Sequence, residues 1–321
     1  MTPPDRIPIT LVTGFLGSGK TTLIRHVLSQ PGFDGALVIV NEFGEVGVDH
    51  DLLEASSDDT ILLANGCLCC TIRGNLVDTL QDVLKQRDQN RLRAFDRVIV
   101  ETSGVADPAP LTAFLFSDPT VAANFRLAQT LATCDALAGL ATLDRFPESR
   151  SQARVADRIL MTKQDLAVDG AALEAKLRAL NPLAPITPVA HGAIDPALFL
   201  ASGADVAPPS HAHHHDHVDR FATTILTAER PLTDPEIEQL IQAVAAFAGP
   251  HLLRLKGLIP RAGRADCVLI QASLMVVHPP EYLARDRLSR GRLMLITEDA
   301  APASLLAALA PLGLKPYRGP G

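Results

Sequence analysis

The chain has 321 residues, 47% of them hydrophobic and 20% charged, which supplies ample apolar material for a core and excludes an intrinsically disordered protein. At ~100–200 residues per domain, this length suits about two domains. Acidic residues outnumber basic ones 36 to 29, for a net charge of −7, and no long Lys/Arg block is present to neutralise a phosphate backbone, so nucleic acid is excluded as a partner.

The longest weakly polar stretches, such as 130–143, fall short of the ~18 apolar residues needed to span a bilayer, so no membrane association is expected. The first apolar run, at 9–12, leads directly into a glycine loop and leaves no room for a secretory signal, which points to a cytoplasmic protein. Five cysteines are an odd number, and three crowd into Cys67, Cys69 and Cys70, a pattern that suits a reduced compartment better than a disulfide framework. Cys134 and Cys267 read as buried core thiols.

The apolar run 9–12 reads as a strand and is followed by Gly14-Phe15-Leu16-Gly17-Ser18-Gly19-Lys20-Thr21, then by a helical stretch at 22–28. That order of strand, glycine loop and helix matches the Walker A phosphate loop. Gly14, Gly17 and Gly19 let successive backbone N–H groups, with those of Ser18 and Thr22, turn toward a β-phosphate at a helix N-terminus. Lys20 supplies a point charge to the β/γ oxygens, and Thr21 a hydroxyl ligand for Mg²⁺.

A second strand at 36–40 runs into Asn41-Glu42-Phe43-Gly44-Glu45-Val46-Gly47-Val48-Asp49, which mixes acids with glycines and reads as a switch loop able to rearrange around metal and γ-phosphate. Glu42 and Glu45 are its candidate oxygen donors. Asn65-Gly66-Cys67-Leu68-Cys69-Cys70 then puts three thiols on an expected turn, enough for one ion but short of a closed tetrahedron. An incomplete site suits handing metal on. Soft thiolates favour Zn²⁺ or Cu(I), with Co²⁺ feasible where zinc is scarce.

The strand at 97–100 ends in Glu101-Thr102-Ser103-Gly104, the position of a Walker B carboxylate. Glu101 either holds a Mg²⁺-bound water or orients the attacking water, while Gly104 lets a backbone N–H approach the γ-phosphate. The strand at 158–161 leads to Thr162-Lys163-Gln164-Asp165. Lys163 can lay its stem over a base and Asp165 can accept from the N1–H and N2–H₂ of guanine, a donor pair that adenine lacks; the site thus implies GTP. The usual first residue of this motif is Asn, and Thr162 departs from it.

These strands alternate with helical stretches, the pattern of an α/β P-loop NTPase with a mostly parallel sheet over residues 1–200. Residues 201–218 carry Pro208-Pro209 and a histidine run and read as a linker. His211, His213, His214, His215 and His217 either capture transition metals weakly or form a solvated polar stretch. Beyond lie expected strands at 221–227, 252–259, 267–277 and 292–297 and helices at 234–247 and 302–309, a smaller α+β domain over 219–321.

The ordered set of the phosphate loop, Asn41–Asp49, Gly66-Cys67-Leu68-Cys69-Cys70, Glu101-Thr102-Ser103-Gly104-Val105-Ala106-Asp107-Pro108 and Thr162-Lys163-Gln164-Asp165 resembles the CobW family of P-loop GTPases, of the SIMIBI class. Leu253-Arg254-Leu255-Lys256-Gly257-Leu258 and 286–293 look more loosely like its C-terminal domain, and the His-rich linker is also similar. The resemblance implies a GTP-dependent metallochaperone that loads Zn²⁺, or Co²⁺ in cobalamin-pathway members, into a client protein, with a homodimer across the nucleotide face as its common assembly. Carried over, Lys20, Thr21, Glu101 and Asp165 serve the nucleotide and Cys67, Cys69 and Cys70 the metal. Relatives that add a ligand just before Asn41 have no counterpart here, where Val40 stands. A metal buffer or sensor whose affinity the nucleotide merely sets is the alternative from a different class. A P-loop kinase is disfavoured because no Arg-bearing lid is evident.

Overall fold

The structure is a computed structural model and describes residues 6–41, 60–62, 68–71, 76–166, 170–182, 184–200, 221–249, 251–273, 276–284, 291–298 and 303–317. In chain order the first part comprises β1 (Ile7–Gly14), α1 (Lys20–Leu28), β2 (Ala36–Asn41), β3 (Thr60–Leu62), β4 (Leu68–Thr71), α2 (Leu76–Asp88), β5 (Arg97–Thr102), α3 (Pro108–Ser117), α4 (Pro119–Asn124), β6 (Phe125–Asp135), α5 (Gly139–Arg145), α6 (Pro147–Val155), β7 (Arg158–Thr162), α7 (Ala171–Leu180), β8 (Ile186–Pro188) and α8 (Ala197–Leu200). The strands lie in the order β3-β4-β2-β5-β1-β6-β7-β8. All neighbours run parallel except β3 and β4. The expected α/β class with a mostly parallel sheet is what the chain forms.

Parallel strands need crossover helices on the sheet faces, so both sides of a central strand are covered and its residues are apolar without alternation. β1 follows that rule, its last six residues all being buried. Val12, Val38, Ile99 and Leu160 on one side meet Leu23, Ile24 and Val27 of α1. Ala132, Ile159 and Met161 pack with Leu143 of α5, Ala153 of α6 and Leu173 and Leu177 of α7. These helices fix the loops that leave the strand ends, where the site lies.

β6 sits between β1 and β7 and has no counterpart among the expected strands. Gln129, Thr130 and Thr133 interrupt its apolar run, yet each is buried. The side chains of Gln129 and Thr133 find partners far along the chain: Gln129 Nε2 donates to the Leu198 carbonyl at 2.8 Å, and Thr133 Oγ1 to the Thr13 carbonyl at 3.2 Å. A register shift between Ile9 and Thr10 in the β1–β6 pairing blurs the alternation further.

The second part comprises β9 (Phe221–Ala228), α9 (Asp234–Phe247), β10 (Leu252–Pro260), β11 (Asp266–Ser273), β12 (Val276–Val277), β13 (Glu281–Ala284), β14 (Gly291–Glu298), α10 (Ala303–Leu309) and β15 (Leu314–Pro316). They form an antiparallel sheet in the order β12-β11-β10-β14-β9-β15, with β13 beside β11. Leu226, Leu255, Val268, Ile270, Leu293 and Leu295 of the sheet share a core with Leu240 and Val244 of α9 and Leu305 and Leu309 of α10. The single strand expected at 267–277 is a hairpin, β11 folding back on β12.

The chain divides into two compact units, residues 1–108 with 118–207, and 109–117 with 208–321. Division by sequence position alone places 109–117 in the first. In α3 the sequence is apolar nearly all round, yet only one face is covered: Leu115 and Phe116 are buried and Phe114 is exposed. In the second unit Phe116 lies with its ring 4.7 Å from that of His278. No described helix is long and apolar enough to cross a membrane.

α9 opens with a capping box. The Glu236 carboxylate accepts from the Thr233 N–H and hydroxyl at 2.8 Å each and from Arg230 Nη2 at 2.5 Å. The Arg230 hydrogen bond, then the two from Thr233, hold the Glu236 pKa at about 2, below its ordinary 4.5. A depressed folded-state pKa stabilises above the unfolded value and is lost as pH falls through the folded one. Glu236→Ala is therefore expected to lose about 1 kcal/mol at pH 7, a few degrees in Tm. Thermal melts of variant and parent should converge as pH drops from about 5 toward 2.

Candidate functional site

β1 ends at Gly14, whose φ is 142°. A Cβ there would lie 2.2 Å from Thr133 Oγ1 and 2.5 Å from the Thr133 carbonyl, so no other residue fits between the loop and β6. Gly17 and Gly19 turn the chain at φ 70° and 92° into α1. Ser18 pins the loop from its far side, its N–H donating to the Phe15 carbonyl at 3.1 Å and its hydroxyl 2.6 Å from that of Thr133.

Lys20, the first residue of α1, is buried and curls back over this loop, Nζ donating to the Gly14 carbonyl at 2.8 Å and to that of Phe15 at 3.3 Å. Thr21 Oγ1 donates to Glu101 Oε1 at 2.7 Å. Glu101 reaches it because β5 pairs with β1 in a register that sets Glu101 beside Val12. A hydroxyl and a buried carboxylate side by side at the start of a phosphate-loop helix are the hard oxygen donors that Mg²⁺ takes, so the residues fit that ion. Gly104, three residues on, rests directly on the loop: a Cβ there would come within 2.7 Å of the Leu16 backbone nitrogen. Thr22 on α1 faces Gly192, whose added Cβ would lie 3.1 Å from its methyl group.

The other end of the site is built on β7. Thr162 Oγ1 lies 2.7 Å from the Ser18 carbonyl, to which it donates, and 3.2 Å from that of Cys134. The residue that departs from the usual motif thus ties that motif to the phosphate loop. Lys163 adopts φ 57°, a left-handed conformation that costs a non-glycine residue on the order of 1 kcal/mol and is retained chiefly where function over-determines it. Its Nζ meets Asp135 Oδ2 at 2.6 Å. Asp165 Oδ1 accepts from the His191 N–H at 3.2 Å, and its Oδ2 lies 3.4 Å from His191 Nδ1. Sequence reasoning misses the loop that carries His191 and Gly192; a His-Gly pair just past an apolar strand is the only trace of it.

The structure therefore gathers Gly14, Gly17, Ser18, Gly19, Lys20, Thr21, Thr22, Glu101, Gly104, Lys163 and Asp165 at the carboxyl ends of parallel strands, the edge where open α/β sheets bind ligands. The thiol motif is only partly placed. The backbone of Cys69 and Cys70 lies in β4, opposite Val38 and Ile39 of β2, rather than on the expected turn. Pairing with β2 and β3 draws it into the sheet. Cys67, Glu42, Glu45, His211, His213, His214, His215 and His217 lie outside the described residues. Among the described residues no three His, Cys, Asp or Glu side chains form a metal cluster. Of the remaining cysteines, Cys267 is buried as expected, whereas Cys134 is only partly buried, although burial followed by the charge of Asp135 pushes its thiol up to about 12.

Comparison with known proteins places this edge in context. Residues 8–188 match the family described as CobW/HypB/UreG, nucleotide-binding domain, and 221–312 the cobalamin synthesis protein cobW C-terminal domain. The zinc chaperone YjiA of Escherichia coli is 33% identical over 272 residues, covering 83% of this chain and 85% of its own. The zinc chaperone CobW of Sinorhizobium is 30% identical over 315 residues, with 83% and 85% covered. The crystal structure of Zn(II)-bound YjiA GTPase from E. coli superposes with a TM-score of 0.72 at 31% identity, over 96% of this chain and 99% of that one. With both domain matches in their proper order and a shared architecture from end to end, the chain belongs to the CobW/HypB/UreG family.

Proposed function

We propose that the chain is a GTP-hydrolysing metallochaperone that takes up Zn²⁺ at Cys67, Cys69 and Cys70 and releases it to a metal-requiring client protein. The observation that carries the reading is the seating of Lys20, Thr21 and Glu101 within hydrogen-bond reach of one phosphate loop, in a chain whose relatives are named zinc chaperones. Lys20 exchanges its contacts with the Gly14 and Phe15 carbonyls for the β/γ oxygens of GTP, while the N–H groups of residues 17–22 hold the phosphates. Thr21, with Glu101 directly or through water, would hold Mg²⁺, which would supply neutralisation of the charge developing on those oxygens. Glu101 orients the attacking water, and Gly104 brings a backbone N–H to the γ-phosphate. Asp165 reads the guanine edge, with Lys163 over the base.

Three thiolates leave a coordination position open, which suits transfer more than storage. Glu42 and Glu45 are candidate further oxygen donors to the ion, and the five linker histidines gather metal loosely. Co²⁺ is the second cargo such a site accepts. The protein works in the cytoplasm, as a homodimer across the nucleotide face when GTP is bound.

Nucleotide and metal affinities must then be linked reciprocally. Titration of Zn²⁺ against a competing chelator is expected to give 5–150-fold tighter binding with a non-hydrolysable GTP analogue than with GDP, on the order of 1–3 kcal/mol of coupling. Replacing Cys67, Cys69 and Cys70 by Ser should remove both the binding and its nucleotide dependence. Protons should be released on binding, since the ligands are thiolates. Equal affinities in the two nucleotide states would reject transfer and leave a metal buffer.

A further inference from the structure

The loop between Glu101 and α3 is held from an unexpected side. Gln152 of α6 is 1% exposed, and its single Nε2 donates to two carbonyls of that loop, Gly104 at 3.1 Å and Ala106 at 3.0 Å. The next residue back, Ser151, donates its hydroxyl to Asp107 Oδ1 at 2.8 Å. A turn closed by the Ala106 N–H on the Ser103 carbonyl, 3.1 Å, completes the segment. On its other side the loop rests on Leu16 of the phosphate loop, through Gly104.

A peptide group is planar and trans, so drawing the Gly104 carbonyl toward α6 turns the N–H of the same peptide, that of Val105, away from it. Gln152 thus fixes the orientation of the backbone stretch that joins Glu101 to α3. An ordinary core glutamine would satisfy both ends of its amide. Here Oε1 is buried and makes no hydrogen bond among the described residues, an arrangement that costs a protein about 1–3 kcal/mol. Its retention argues that the two donated bonds do more than fill a core.

We infer that Gln152 is a positioning residue for hydrolysis: it holds the loop 104–107 in the orientation from which the Gly104 region meets the γ-phosphate. The inference rests on the GTPase reading above. Gln152→Met keeps length and removes both donors. Its kcat for GTP is expected to fall on the order of tenfold to a hundredfold, with GDP affinity near the parent's and Tm lowered by only a few degrees as the two carbonyls lose their donor. Gln152→Glu places an acid at the same point. Burial raises the pKa of such a carboxyl, and only its protonated form can donate to one of the carbonyls, so its turnover relative to the parent should fall as pH rises through that pKa. The Met variant should show no such profile.

Turnover within twofold of the parent in the folded Met variant, or equal losses of kcat, GDP affinity and Tm that mark a purely structural role, would overturn the proposal alone. A parent that cannot hydrolyse GTP would overturn it together with the GTPase reading.

Discussion

Lys20→Ala is expected to bring GTP hydrolysis below detection while leaving a folded chain that still binds GDP weakly. Phosphoryl transfer asks little covalent chemistry of a protein, so positioning and charge neutralisation are almost the whole of catalysis. Loss of a single preorganised donor at a developing charge lowers kcat by about 10²–10³ in well-studied cases, and Lys20 contributes a full positive charge as well. Its buried Nζ already sits 2.8 Å from the Gly14 carbonyl, held over the loop on which the phosphates would rest. Lys20→Arg should not rescue the loss, because a planar fork cannot occupy the place of a compact ammonium above a loop this tight. Single-turnover release of phosphate, with circular dichroism to verify folding, checks the result. Retained turnover would trace the signal to a contaminating enzyme.

Asp165→Ala is expected to erase the preference for GTP over ATP. In the proposed role the carboxylate would accept two charge-assisted hydrogen bonds from guanine, each worth ~1.5–3 kcal/mol, so GTP affinity should fall tenfold or more while ATP affinity changes little. Adenine presents no donor pair there and leaves a fixed carboxylate unpaired, which is the stronger part of the discrimination in the parent. The His191 N–H, 3.2 Å from Asp165 Oδ1, holds that carboxylate in place. Competition of GTP and ATP for a fluorescent nucleotide analogue measures the ratio, and equal binding of both triphosphates by the parent would remove guanine from the assignment.

The phosphate-binding end of the site is legible in the sequence because its chemistry leaves few choices. Gly14 is wedged against Thr133, Gly17 and Gly19 have positive φ, and Lys20 must come after them at the helix start; each demand shows as a letter at a fixed spacing. The strands β1, β2, β5 and β7 are equally plain as continuous apolar runs. β6 is not, because Gln129, Thr130 and Thr133 look like surface residues until their partners are known. The stretch Pro147–Val155, a helix in the structure, is rich in polar residues, and nothing in its composition shows that Gln152 turns inward to two carbonyls. Thr162 reads as a weakness of the base-reading motif, and its bond to the Ser18 carbonyl supplies the reason it is tolerated. Such pairings join residues from 46 to 144 positions apart, distances over which local pattern carries no information.

The assignment of 109–117 to the second unit bears on the protein's birth at the ribosome. The first unit needs no residue beyond 207, so its sheet and phosphate loop can close while the rest of the chain is still being made. The apolar helix at 109–117 cannot find its place until residues 208–321 have been made. At ~5–20 residues per second, translation from 117 to 321 takes roughly 10–40 s. For the last roughly 6–23 s of that interval, once residue 207 has been made, Leu115 and Phe116, buried in the finished protein, stand uncovered on a chain whose first unit can already have closed. Slow codons beyond 208 would lengthen that exposure and should lower soluble yield more than the same codons placed before 109.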